Sequence, residues 1–198
     1  MYCDLRCAIE GRKADSVVLY RFMALDPDVR ARAPPLPGLR TKHVDMQAYN
    51  EHRSPLDRRQ LSYYSAIGPM PPVTANPNLH ACAHLYASDR NSLFVISRHL
   101  DINQHVSVMA SLSHTVIFHV GVEALSMIGK EGTEDWFCQE AWTDRVGDGR
   151  GVHNSRIWDG NGRHIATTLQ DGLVRLRSED REELERTRVR LGKGRAKL

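Results

Sequence analysis

The sequence lacks most of the signals that would announce a common chemistry. Its apolar runs are only a few residues long, so no segment reads as a bilayer span and no membrane insertion is expected. The N-terminal Met1-Tyr-Cys-Asp-Leu-Arg-Cys7 has no apolar core, so a secretory leader is not expected. Cysteines number 4 (Cys3, Cys7, Cys82, Cys138), too few and too scattered for a disulfide framework, which favours free thiols in a reducing compartment. There is no Gly-x-Ser-x-Gly elbow and no glycine loop for phosphates; Gly192-Lys-Gly194 lies in a charged tail and precedes no helix. His80-Ala-Cys-Ala-His84 places its two imidazoles on one helical face and its thiol elsewhere, with no fourth ligand set by spacing. No metal and no cofactor are therefore implied.

Charge of one sign is also scarce where it would matter. The net charge is +3, and residues 176–198 alone carry eight Lys/Arg against five Asp/Glu. The body is neutral, without the basic face that a nucleic-acid partner selects.

What is present suits one domain in 198 residues that are 41% apolar. Residues 1–57 read as a strand remnant, Ser16–Phe22, then the proline-rich breaker Ala33–Gly38 and a polar stretch. Residues 58–177 carry the periodic pattern of a folded domain, and 178–198 form a charged tail. Within the domain, a strand is expected at 60–67 and one long helix at 79–97. On that helix Leu79, Cys82, Tyr86, Leu93 and Ile96 make one apolar stripe. Strands follow at 106–120, 136–142, 151–158 and 165–174, the last two joined by the hairpin signal Asp159-Gly-Asn-Gly162. This is an α+β order, with an antiparallel sheet curled around a central helix.

Three polar residues stand out. Asp89 falls in the middle of the apolar stripe, so either partners hold a buried carboxylate or the helix kinks near Ser88 and Asp89 caps its second half. Ser111 lies with Met109, Ser113, Thr115 and Ile117 on one face of its strand, which also reads as an ordinary solvated face. Gln170 shares a face with Ala166, Thr168 and Gly172, fitting either ligand orientation or a plain polar side chain.

Five segments then carry a family resemblance: His80–Asp89, Ala110–His119, Asp135–Glu140, Gly149–Gly151 and Ala166–Arg175. In this order and spacing they resemble the type II acyl-CoA thioesterases, whose chains hold two hot-dog domains. The match covers about residues 58–177 and corresponds to the second domain. The resemblance implies a hot-dog fold and hydrolysis of fatty acyl-CoA to free acid and coenzyme A. It also implies catalytic roles for Asp89, Ser111 and Gln170, which together would hold the hydrolytic water. Ser113 stands where the family usually has Asp and Ile117 where it has Trp, and Val-Gly-Val follows His119 in place of a proline and an aromatic.

With most of the first domain absent, pairing is expected, as a homodimer or with another hot-dog domain. The alternatives are a catalytically impaired module that binds acyl-CoA or pairs with a full-length relative, and a hydratase of enoyl-CoA. The terminal Ala196-Lys197-Leu198 resembles the Ser-Lys-Leu peroxisomal address, so the peroxisomal matrix and its import receptor are the expected location and partner.

Overall fold

The computed structural model describes residues 38–90, 92–129 and 135–177. The strand expected at 16–22, most of the proline-rich breaker and the tail with its terminal tripeptide lie outside the described residues. In chain order the elements are β1 (Leu39–His43), the single turn α1 (Gln47–Asn50), β2 (Gln60–Ala66), α2 (Pro77–Asp89), α3 (Phe94–His99), β3 (Val106–Phe118), β4 (Phe137–Gly147), β5 (Arg150–Trp158) and β6 (His164–Leu176). Short 3₁₀ turns occupy Asn103–His105 and Val122–Leu125. The strands form one antiparallel sheet ordered β1-β2-β4-β5-β6-β3, with the helices against its inner face. β1 falls within the stretch read from sequence as remnant and linker. Leu-Arg-Thr-Lys-His is short and polar, and only Leu39 is buried, so its place came from pairing with β2 rather than from any pattern.

Local chemistry fixes the turns. At Gly147-Asp-Gly-Arg150 both central residues have positive φ (Asp148 52°, Gly149 74°), which suits the tight connection between β4 and β5. In the next hairpin the carboxylate of Asp159 accepts from the backbone N–H groups of Asn161 and Arg163, each at 2.9 Å.

The expected single helix is two. Asn76 caps α2 by accepting from the Leu79 N–H at 3.2 Å, with Pro77 in the first turn, and the helix stops where Arg90 turns extended (ψ 120°). The face it buries is also not the expected one. His80, His84, Ala87 and Ser88 are buried, while Leu79 (40% exposed), Cys82, Tyr86 (36%) and Asp89 face outward. Hydrogen bonds make the polar face the inner one. His80 donates from Nε2 to the Pro71 carbonyl and accepts at Nδ1 from the Met127 N–H, both at 2.9 Å. His84 donates from Nε2 to the Leu125 carbonyl at 3.1 Å, which leaves Nδ1 to accept from the Tyr64 hydroxyl at 2.7 Å. All four ring nitrogens thus tie α2 to its surroundings.

The core has two apolar clusters. One gathers Leu39, Tyr64, Ala87, Leu125, Met127, Phe137, Ile157, Ile165 and Ala166; the other gathers Leu93, Ile96 and Val174. Between them runs a buried polar seam. The Gln139 amide donates to Ser155 Oγ at 2.9 Å, and Ser155 meets Thr168 at 2.6 Å. Two glycines opposite one another, Gly151 and Gly172, seat the segment around α3. A Cβ on Gly172 would lie 2.6 Å from Leu93 Cδ2, and one on Gly151 would lie 2.8 Å from Ile96 Cδ1. Only a bare backbone lets this segment come so close to the sheet.

Candidate active site

The break between the helices is where the candidate residues meet. Gln170 is fully buried on β6, beneath the end of α2. Its Nε2 donates to Asp89 Oδ1 at 2.5 Å and to Ser111 Oγ at 2.7 Å. Its Oε1 accepts from the Ser92 hydroxyl. A carboxylate only accepts, so the amide must face Asp89 with its nitrogen, and both its N–H groups are then used. The Ser92 proton is shared between Gln170 Oε1 and the Asp89 main-chain carbonyl, 2.7 Å away.

Gln170 therefore contacts both of the other residues singled out by sequence, in settings that differ from the simplest readings. Asp89 is exposed rather than buried, as the last residue of α2 on its outward face. It does not cap α3, whose N-cap is Leu93; its carboxylate turns to Gln170 instead. At this end the helix dipole gives a carboxylate no help, so the charge-assisted bond from Gln170 is its main protein support. Ser111 is also exposed. Because its oxygen accepts from Gln170, its own proton is free to be donated outward.

Unbroken alternation along β3 does not hold. The β3–β6 register pairs Ser111 with Gly172 and Ser113 with Asp171, leaving Leu112 as an extra residue. Before the bulge Met109 and Ser111 face the helices; beyond it the inward residues are His114, Val116 and Phe118, and Thr115 and Ile117 are exposed. The bulge therefore splits the face read from sequence into two halves.

Sequence reasoning missed Ser92, His114 and His153. The Cα register places Gln170 directly between His114 on β3 and His153 on β5. His153 is fully buried, neither ring nitrogen has a protein partner, and burial with the nearby imidazoles of His114 and His99 pushes its pKa down to about 3. His99 is pushed down to about 4 by burial and the cations Arg58, Arg59 and Arg98, against a smaller opposing effect of Asp101. No cluster of metal-ligating side chains occurs among the described residues.

Residues 23–174 match the family model for the acyl-CoA thioesterase C-terminal domain, well over half of the chain. This chain belongs to that family. Among known members, mouse acyl-coenzyme A thioesterase 8 is 28% identical over 101 residues, covering 51% of this chain and 29% of the relative. Its human counterpart is 24% identical over 161 residues, covering 78% and 47%. The thioesterase domain thus spans less than half the length of either relative. Among solved structures, the acyl-CoA thioesterase II TesB2 of Mycobacterium marinum superposes with a TM-score of 0.54 at 27% identity, over 74% of this chain and 54% of that one. The fold is the hot-dog fold, a curled sheet with the helices of residues 77–99 packed against it.

Proposed function

We propose that this chain hydrolyses fatty acyl-CoA thioesters, with Asp89, Ser111 and Gln170 as its catalytic residues. The observation that carries this reading is the junction at Gln170, where one buried amide holds an exposed carboxylate and an exposed hydroxyl side by side. Gln170 occupies one oxygen of Asp89, and the other is open to water. Asp89 takes a proton from that water as the water oxygen adds to the thioester carbonyl carbon. Collapse of the tetrahedral intermediate breaks the C–S bond, and Asp89 returns the proton to the departing sulfur, giving free acid and coenzyme A. A thiol leaving group with a pKa of about 8.5 needs no strong general acid. What is needed is a placed water, and Ser111 and Gln170 serve to place it.

The uncovered surfaces support pairing with a second hot-dog unit. Among the described residues β3 is a 13-residue edge strand beside the site, and Leu79, Tyr86 and Phe94 are exposed on the helices. The expected result is thiol release from acyl-CoA by the purified chain, sedimenting as a dimer. A folded monomer without turnover would instead mark an acyl-CoA-binding module that needs a full-length partner. We also read Ala196-Lys197-Leu198 as a peroxisomal address. Loss of peroxisomal import from a fluorescent fusion on deleting these residues is the expected outcome, and unchanged import removes the reading.

A further inference from the structure

His114 lies at the site, yet the hydrolytic step above gives it no role. Its position depends on the bulge: with strict alternation Ser111 and His114, three residues apart, would face opposite sides of the sheet. The extra residue brings both to the helical side, His114 directly across from Gln170. There its Nε2 lies 3.3 Å from the Ser88 hydroxyl. Ser88 is fully buried and donates its only proton to the Leu85 carbonyl at 3.0 Å. Toward His114 the hydroxyl can therefore only accept, and His114 is the donor, with its proton on Nε2. This bond runs from the edge strand to the last turn of α2, one residue before Asp89. Gln170 grips the Asp89 carboxylate from the sheet, and His114 grips the Ser88 hydroxyl in the turn that presents it. His153, on the other side of Gln170, has no bond to either helix and cannot substitute.

Resting on the thioesterase reading, we propose that His114 is a positioning residue for the hydrolytic site. Its Nε2–H fixes the final turn of α2 so that Asp89 meets Gln170 and the water in a single geometry. The bond is long, so its effect falls on alignment more than on stability.

Two variants separate donation from bulk. His114→Gln carries an N–H at about the reach of the ring nitrogen, whereas His114→Leu fills the space without a donor. In His114→Leu, kcat for thiol release is expected to fall by about tenfold to a hundredfold with KM nearly unchanged, and His114→Gln to recover most of that loss. Amide hydrogen exchange at Ser88 and Asp89 should quicken in the leucine variant and return to the wild-type rate in the glutamine variant. Wild-type kcat in His114→Leu, or equal damage from both substitutions, overturns the proposal while leaving the thioesterase reading intact. If the wild-type chain turns nothing over, the thioesterase reading falls and the positioning role falls with it, whatever the exchange rates.

Discussion

Asp89→Asn is expected to lower thiol release from acyl-CoA by about a hundredfold to ten-thousandfold while leaving the fold in place. The substitution is close to isosteric, and an amide oxygen can still accept from Gln170 Nε2 where Oδ1 now does. Asp89 is solvent-exposed, so no buried charge is stranded or removed. What disappears is the ability to take a proton from water, which the remaining hydroxyls and amide cannot supply at neutral pH. The loss should appear in kcat, since the carboxylate acts on the water and not on the bulk of the substrate. Circular dichroism and the thermal midpoint would confirm that the variant is folded. Activity within about threefold of wild type would remove Asp89 from the mechanism and leave Gln170 as a structural amide.

The second large effect is on stability in mild acid. Burial pushes the pKa of His84 down to about 4 and, with the neighbouring imidazoles, that of His153 to about 3. Both are neutral in the folded chain, whereas an unfolded histidine titrates near 6.5. Below that value the unfolded state binds protons that the folded state refuses, so stability is full above it and falls as the pH drops. At pH 5 each of the two histidines removes about 2 kcal/mol relative to neutral pH, a large share of an ordinary domain's stability. His99, depressed to about 4, acts in the same direction. Glu140 opposes them, because burial raises its pKa, though Arg156 and Arg59 hold that rise back. Urea denaturation should show a much lower midpoint at pH 5 than at pH 7. His153→Leu should flatten that dependence without weakening the protein at neutral pH, since both ring nitrogens lack protein partners. Equal midpoints at the two pH values would contradict the account.

All strands but β1 were legible as short apolar or β-branched runs bounded by turn residues. The expected segments at 60–67, 106–120, 151–158 and 165–174 lie within a few residues of those observed. β4 runs further than expected, to Gly147, because its outer end pairs with β5 through a tight turn. Periodicity located α2 but assigned its buried face wrongly. A moment of hydrophobicity cannot register that four loop and strand groups are waiting for His80 and His84. Nor does a period of two reveal one extra residue, so the bulge at Leu112 and the inward turn of His114 were hidden. Asp89, Ser111 and Gln170 came forward as oddities of pattern, but only the family resemblance gave them roles. Ser92 had no signal at all; its contact exists because the helix breaks where it does.

The wiring of α2 also decides how firmly the end that carries Asp89 is held. Its two histidines are bonded to β2, to the Pro71 loop and to the turn around Leu125 and Met127, so sliding or rolling the helix would break four bonds in separate pieces of chain. The segment around α3 is held differently: Leu93 and Ile96 close over two bare glycines, Arg98 donates to Gln60 Oε1 at 2.9 Å, and Arg58 donates to the His99 carbonyl at 2.7 Å. Displacing the helix that ends in Asp89 therefore costs four side-chain hydrogen bonds at once, at about 1 kcal/mol each.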